Sequence, residues 1–129
     1  MSDPGNLSDR WGIVAEARRE SGGKMSVFAV TTAKGPNWEP VRGIREQPGW
    51  HEHAAFADGL VKQGFIILGG PIGSDNDEDV ALMAVEAANE TELRSVLGAD
   101  PWAANGVLRV KEVRPWTVWL DSRSRSQVG

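Results

Sequence analysis

A chain of 129 residues suffices for one domain with a real core and leaves no room for a separate cofactor domain. Its formal net charge of −4, with no lysine run and the late arginines Arg114, Arg123 and Arg125 dispersed, argues against a nucleic-acid or anionic-membrane binder. The absence of cysteine excludes a disulfide framework, a thiol nucleophile and a thiolate metal site.

Residues 1–24 read as an N-terminal extension, unstructured or carrying a short helix over Ser8–Glu20 that Gly22-Gly23 stops. Nothing in them resembles the apolar run of a signal peptide, and no stretch approaches membrane-spanning length, so the reading is cytoplasmic. The domain proper is expected over residues 25–120, with 121–129 as a C-terminal tail. Ser26–Thr32 predicts the first strand. A polar connection with glycine and proline then runs from Lys34 to Pro48, and Pro48 suits the first turn of a helix, where its missing donor is not needed. That helix is expected to reach Lys62, with Gly64 as its terminator. Phe65–Leu68 is a short apolar run, read as a buried strand that Gly69-Gly70-Pro71 ends.

An acidic loop from Gly73 to Asp79 leads into a third strand, Val80–Glu86. Asn89 followed three residues later by Glu92 has the form of a capping box, and Leu93, Val96 and Leu97 supply one helical stripe before Gly98. Asp100-Pro101-Trp102 opens a further connection. Gly106–Val113 is the last main strand, with Thr117–Leu120 as its extension beyond Pro115. The order β-α-β-β-α-β predicts an α+β, ferredoxin-like fold, with a four-stranded antiparallel sheet and both helices on one face. The other face needs cover, and a second copy of the chain is the economical way to provide it, so a homodimer is expected.

Chemistry near pH 7 has few carriers here, because tyrosine is also absent. Stepping about 100° per residue along the 50–64 helix puts Trp50, Ala54, Phe56, Ala57, Leu60, Val61 and Gly64 around His53. His51 falls on the opposite, solvated face with Ala55, Asp58 and Lys62. An imidazole on the apolar side must find partners for two ring nitrogens, and it is suited to proton transfer.

His53, the following Gly64, the apolar strand, Gly69-Gly70-Pro71, Asp100-Pro101-Trp102, Gly106-Val107 and Pro115-Trp116 together resemble the YCII-related (YciI-like) domain family over about residues 25–120. The resemblance implies a ferredoxin-like protomer that pairs into a dimeric α/β barrel. It also implies an active site built on a histidine and an aspartate, which by position are His53 and Asp100. Some relatives act on chlorinated or hydroxylated aromatic breakdown products, and similar barrels house muconolactone isomerases and small oxygenases. An aspartate on one imidazole nitrogen would fix the tautomer and leave the other nitrogen for a substrate.

The remaining motifs are weaker. Gly69-Gly70-Pro71-Ile72-Gly73 lacks the lysine of a phosphate loop and reads as a tight strand exit beside a pocket, where glycines let a ligand approach the backbone. Asp75, Asp77, Asp79 and Glu86 occupy four calcium-loop positions, but Val80 stands where such a loop needs glycine, so a solvated hairpin is expected. His51 and His53 point to different helix faces and cannot converge on one ion. No metal and no cofactor are therefore expected, and no ligand pattern for heme or flavin is present. Trp50 and Trp102 are candidates for an aromatic pocket wall, while Trp116 and Trp119 are assigned to the core or a dimer seam. The leading expectation is a small enzyme in which His53 shuttles a proton and Asp100 orients it, in a cofactor-independent isomerisation or elimination on a small metabolite, aromatic compounds being among the candidates. The alternative is a non-catalytic ligand-binding or assembly module whose His–Asp pair only holds the fold.

Overall fold

Side chains alternate across a strand, and in Ser26–Lys34 that alternation buries Phe28, Val30 and Thr32 while Val27, Ala29 and Thr31 point to the opposite face. This strand, β1, is central to the sheet of a computed structural model that describes residues 25–123. The helix expected over Ser8–Glu20 and the last residues of the tail lie outside the described residues. A 3₁₀ turn, Ile44–Glu46, precedes helix α1, Trp50–Lys62. Strands β2, Ile66–Pro71, and β3, Asp79–Ala87, follow, then helix α2, Glu90–Leu97, the short helix α3, Pro101–Ala104, and strand β4, Leu108–Pro115. The sheet order is β2-β3-β1-β4 with every pairing antiparallel, which is the ferredoxin-like α+β arrangement.

Local chemistry accounts for most boundaries. Asn89 caps α2 by accepting the Glu92 N–H at 2.9 Å, as the capping-box spacing requires. Gly64, at φ 77°, ends α1, and the Phe65 N–H donates back to the Leu60 carbonyl. The start of α1 differs from the expectation. Pro48 lies outside the helix, Gly49 takes the cap position at φ 82°, and the Pro48 carbonyl accepts the Trp102 indole N–H at 2.7 Å.

Three further elements depart from the sequence reading. The Gly69-Gly70-Pro71 segment does not end β2 but belongs to it, paired to Met83, Leu82 and Ala81. Proline is tolerated because β2 is an edge strand with a ladder on one side only. For the same reason the Phe65–Leu68 run is not a buried strand: Phe65 and Ile66 are buried, but Leu68 is 61% exposed. Asp100-Pro101-Trp102 does not open a simple connection. Asp100 caps α3 by accepting the Trp102 N–H at 2.9 Å, and Pro101 begins the helix. Finally, β4 starts at Leu108 because Gly106 turns at φ 77°, and Thr117–Leu120 adds no strand. Trp116 and Trp119 are 44% and 86% exposed, so neither packs in the core.

The buried side chains form two clusters. Phe28, Val30, Phe56, Leu60, Phe65, Val85, Leu93 and Val96 fill the space between the sheet, α1 and α2. Val80, Trp102, Val107 and Leu108, with Trp38, Ile44 and Trp50 packed against them, fill the end under α3. The sequence stripe of α1 divides accordingly. Phe56 and Leu60 enter the first cluster, whereas His53, Ala57 and Val61 border the space where the two clusters fail to meet.

Candidate functional site

That space is a cavity of about 340 Å³, within the usual size range of small-molecule sites. Its lining is mainly apolar and includes Ile66 and Leu97 of the first cluster, and Val80, Trp102 and Leu108 of the second. Every residue that the sequence assigned to the site borders it: His53, Asp100, Trp50, Gly69, Gly70, Pro71 and Trp102. The two glycines of this segment differ in what the fold asks of them. A Cβ on Gly69 would come within 2.7 Å of the Met83 Cβ, so this glycine allows β2 and β3 to pair closely. A Cβ on Gly70, which pairs with Leu82 on the sheet face away from the helices, would meet nothing within 4 Å, so packing does not require glycine there.

His53 and Asp100 are 47 residues apart in sequence, and α1 and α3 bring them together. The His53 Nδ1 lies 3.0 and 2.8 Å from the two carboxylate oxygens of Asp100. A carboxylate only accepts, so Nδ1 carries the hydrogen, and in the neutral ring Nε2 holds the lone pair. Nε2 has no hydrogen-bond partner among the described residues, and His53 borders the cavity. The pair is mostly shielded from solvent, with side-chain exposures of 18% and 13%.

The ring is fixed by more than its partner. It lies flat on the fully buried Trp102 indole, with centroids 4.0 Å apart and planes inclined by 9°. Trp102 is anchored by its indole N–H on Pro48, and Trp50 flanks both rings at 5.9 and 5.7 Å. Gly49 is required beneath this stack. It adopts a left-handed backbone, and a Cβ there would press on the Trp102 Nε1 at 3.3 Å. Trp102 thus holds the ring from one face while Asp100 sets its rotation, and Asp100 is held in turn as the cap of α3.

The sequence reading missed several polar contributors. Thr32, 3% exposed, borders the cavity from β1, and its position on the same face as Phe28 and Val30 was the available signal. Asp58, which the helical stripe placed on the solvated face with His51, also borders it because it lies next to Ala54 and Ala57 at the edge of that face, as does Arg45, which no spacing pattern singles out. Gln47, 2% exposed, organises the preceding loop. Its amide donates to the carbonyls of Glu39 and Arg42 at 2.9 Å each and accepts the Glu39 N–H.

The acidic loop is a hairpin connection in which Asp77 accepts the Ser74 N–H. Among the described residues, no three histidine or carboxylate side chains converge as metal ligands would, and no helix is long and apolar enough to cross a membrane. Neither curated proteins nor solved structures provide a match to the chain. The profile of the YCII-related domain matches residues 27–117, a span that holds β1 from its second residue, β2 to β4, helices α1 to α3 and the His53–Asp100 pair. The chain therefore belongs to the YCII-related domain family.

Proposed function

We propose that this is a small cytoplasmic enzyme that uses His53 and Asp100 for cofactor-independent proton transfer on a small, aromatic metabolite. The observation that carries the reading is the inequality of the two imidazole nitrogens: Nδ1 is held by a carboxylate, while Nε2 is unpartnered among the described residues on a ring that borders a cavity. In the proposed step, Nε2 takes a proton from carbon next to a carbonyl or phenol, and the C–H electron pair moves into an enolate. Returning the proton to a different carbon completes an isomerisation. In an elimination the enolate instead collapses to a double bond as a β leaving group departs with its bonding pair, and Nε2 passes the proton to that group. Asp100 keeps the ring oriented and stabilises the imidazolium between the two transfers.

The same elements support a second copy of the chain as partner. Leu82 and Leu68, on the sheet face away from the helices, are 37% and 61% exposed, and Trp119 and Leu120 beyond β4 are 86% and 95% exposed. Burial of that apolar surface against its symmetry mate is the proposed basis of a homodimer.

A binding-module reading has one specific observation in its favour: Asp100 is already employed as the cap of α3, so the pair contributes to the fold whether or not it reacts. Proton exchange separates the two readings. In D2O, a panel of small aryl ketones, phenols and unsaturated lactones is followed by ¹H NMR. The enzyme reading expects at least one C–H signal to exchange faster with the wild-type protein, and His53→Ala, folded by circular dichroism, to be slower by about a hundredfold or more. Equal exchange by both proteins, or none across the panel, selects the module.

A further inference from the structure

Besides the His53 Nε2, three polar groups around the cavity have no partner among the described residues. The first is the Thr32 hydroxyl, which is buried and makes no hydrogen bond among the described residues. The second is the Arg45 guanidinium, exposed at the mouth and without an ion pair among the described residues. The third is the Asp58 carboxylate, also exposed at the mouth and likewise unpaired among the described residues. The other charged lining groups are committed. Arg109 is bound to Glu78 and to the Lys34 carbonyl, and Asp100 to His53 and Trp102.

A buried hydroxyl without a partner is unfavourable unless something supplies one, and Thr32 lies on the sheet floor of a mainly apolar chamber. We propose that the cavity selects a small ring-bearing monocarboxylate, with its carboxylate on the Arg45 guanidinium at the mouth and a ring hydroxyl or carbonyl oxygen on the Thr32 hydroxyl at the floor. A planar guanidinium matches a carboxylate with two parallel hydrogen bonds, which gives the ligand a direction as well as affinity. The apolar walls take the ring, and Asp58 beside the mouth repels a second carboxylate. This assignment deepens the proposed function and rests on its reading of the cavity as a ligand site.

The test is calorimetric titration of benzoate, its monohydroxylated forms, benzamide and phthalate into the full chain near neutral pH, with proton exchange measured on the same preparations. Benzoate is expected to bind about tenfold or more tightly than isosteric benzamide, and Arg45→Gln to remove that advantage while benzamide binding is unchanged. At least one hydroxybenzoate is expected to bind several-fold tighter than benzoate, and Thr32→Val to abolish only that gain without lowering the melting temperature. Phthalate is expected to bind more weakly than benzoate and to recover in Asp58→Asn. The inference is overturned by an absence of acid binding up to about 10 mM, by indifference to Arg45→Gln, by a hydroxyl preference that survives Thr32→Val, or by phthalate binding as well as benzoate. Arg45-dependent acid binding without proton exchange keeps the inference and removes the catalytic reading. Exchange on neutral ketones without acid binding does the reverse.

Discussion

His53 is the fourth residue of α1, and its backbone N–H closes the first helical turn onto the Gly49 carbonyl at 3.0 Å. Its side chain is therefore set by a rigid element, and Asp100 decides which nitrogen remains available. Asp100→Asn separates the two roles of that carboxylate. Asparagine is as good a helix cap, so the loss in stability by urea denaturation is expected to stay below about 1 kcal/mol. The charge that holds the tautomer is gone, however, and exchange by the variant is expected to fall about a hundredfold or more. Gly49→Ala tests the floor of the stack. A left-handed backbone and a new Cβ against Trp102 are expected to cost roughly 1–3 kcal/mol, read as a lower denaturation midpoint. The sequence exposed His53 through its helical stripe and Asp100 through a family likeness. It gave no hint that Gly49 and Pro48 brace the tryptophan that supports the imidazole, because that contact spans 54 residues.

At the scale of elements, the well-read segments were those whose signal is local. The Asn89–Glu92 spacing marks the start of α2, and Gly64 marks the end of α1, because a cap and a left-handed terminator are decided within one turn of chain. Asn89→Ala is accordingly expected to lower stability by about 1 kcal/mol in chemical denaturation and to leave proton exchange unchanged, since the cap lies at the end of α2 away from Leu97 and the cavity. The misread segments, β2 and α3, depend on neighbours instead. An apolar run looks the same at a sheet edge and at its centre, and only the pairing order places β2 outside. Helix α3 has four residues, too few to show any period, and it exists because Asp100 caps it and Trp102 is buried beneath it.

For the whole molecule, the exposed leucines of the sheet and the exposed residues after β4 are expected to meet a second copy. Sedimentation equilibrium should then give twice the 14.0 kDa chain mass, and Leu68→Lys with Leu82→Lys should shift the distribution toward the single chain. A wild-type protein that sediments as one chain throughout the micromolar range removes the dimer. Read alone, the sequence determined the order of the four strands and of α1 and α2, the Asn89 cap and the apolar stripe that carries His53, because each depends on residues within a turn or two of one another. The tertiary structure decided that Thr32, Arg45, His53, Asp58 and Asp100 border one chamber, and that one nitrogen of His53 stays without a partner among the described residues. The physical reason is that these groups come from β1, the loop before α1, α1 itself and the cap of α3, and only the packing of two hydrophobic clusters that leave a gap between them brings the groups into register.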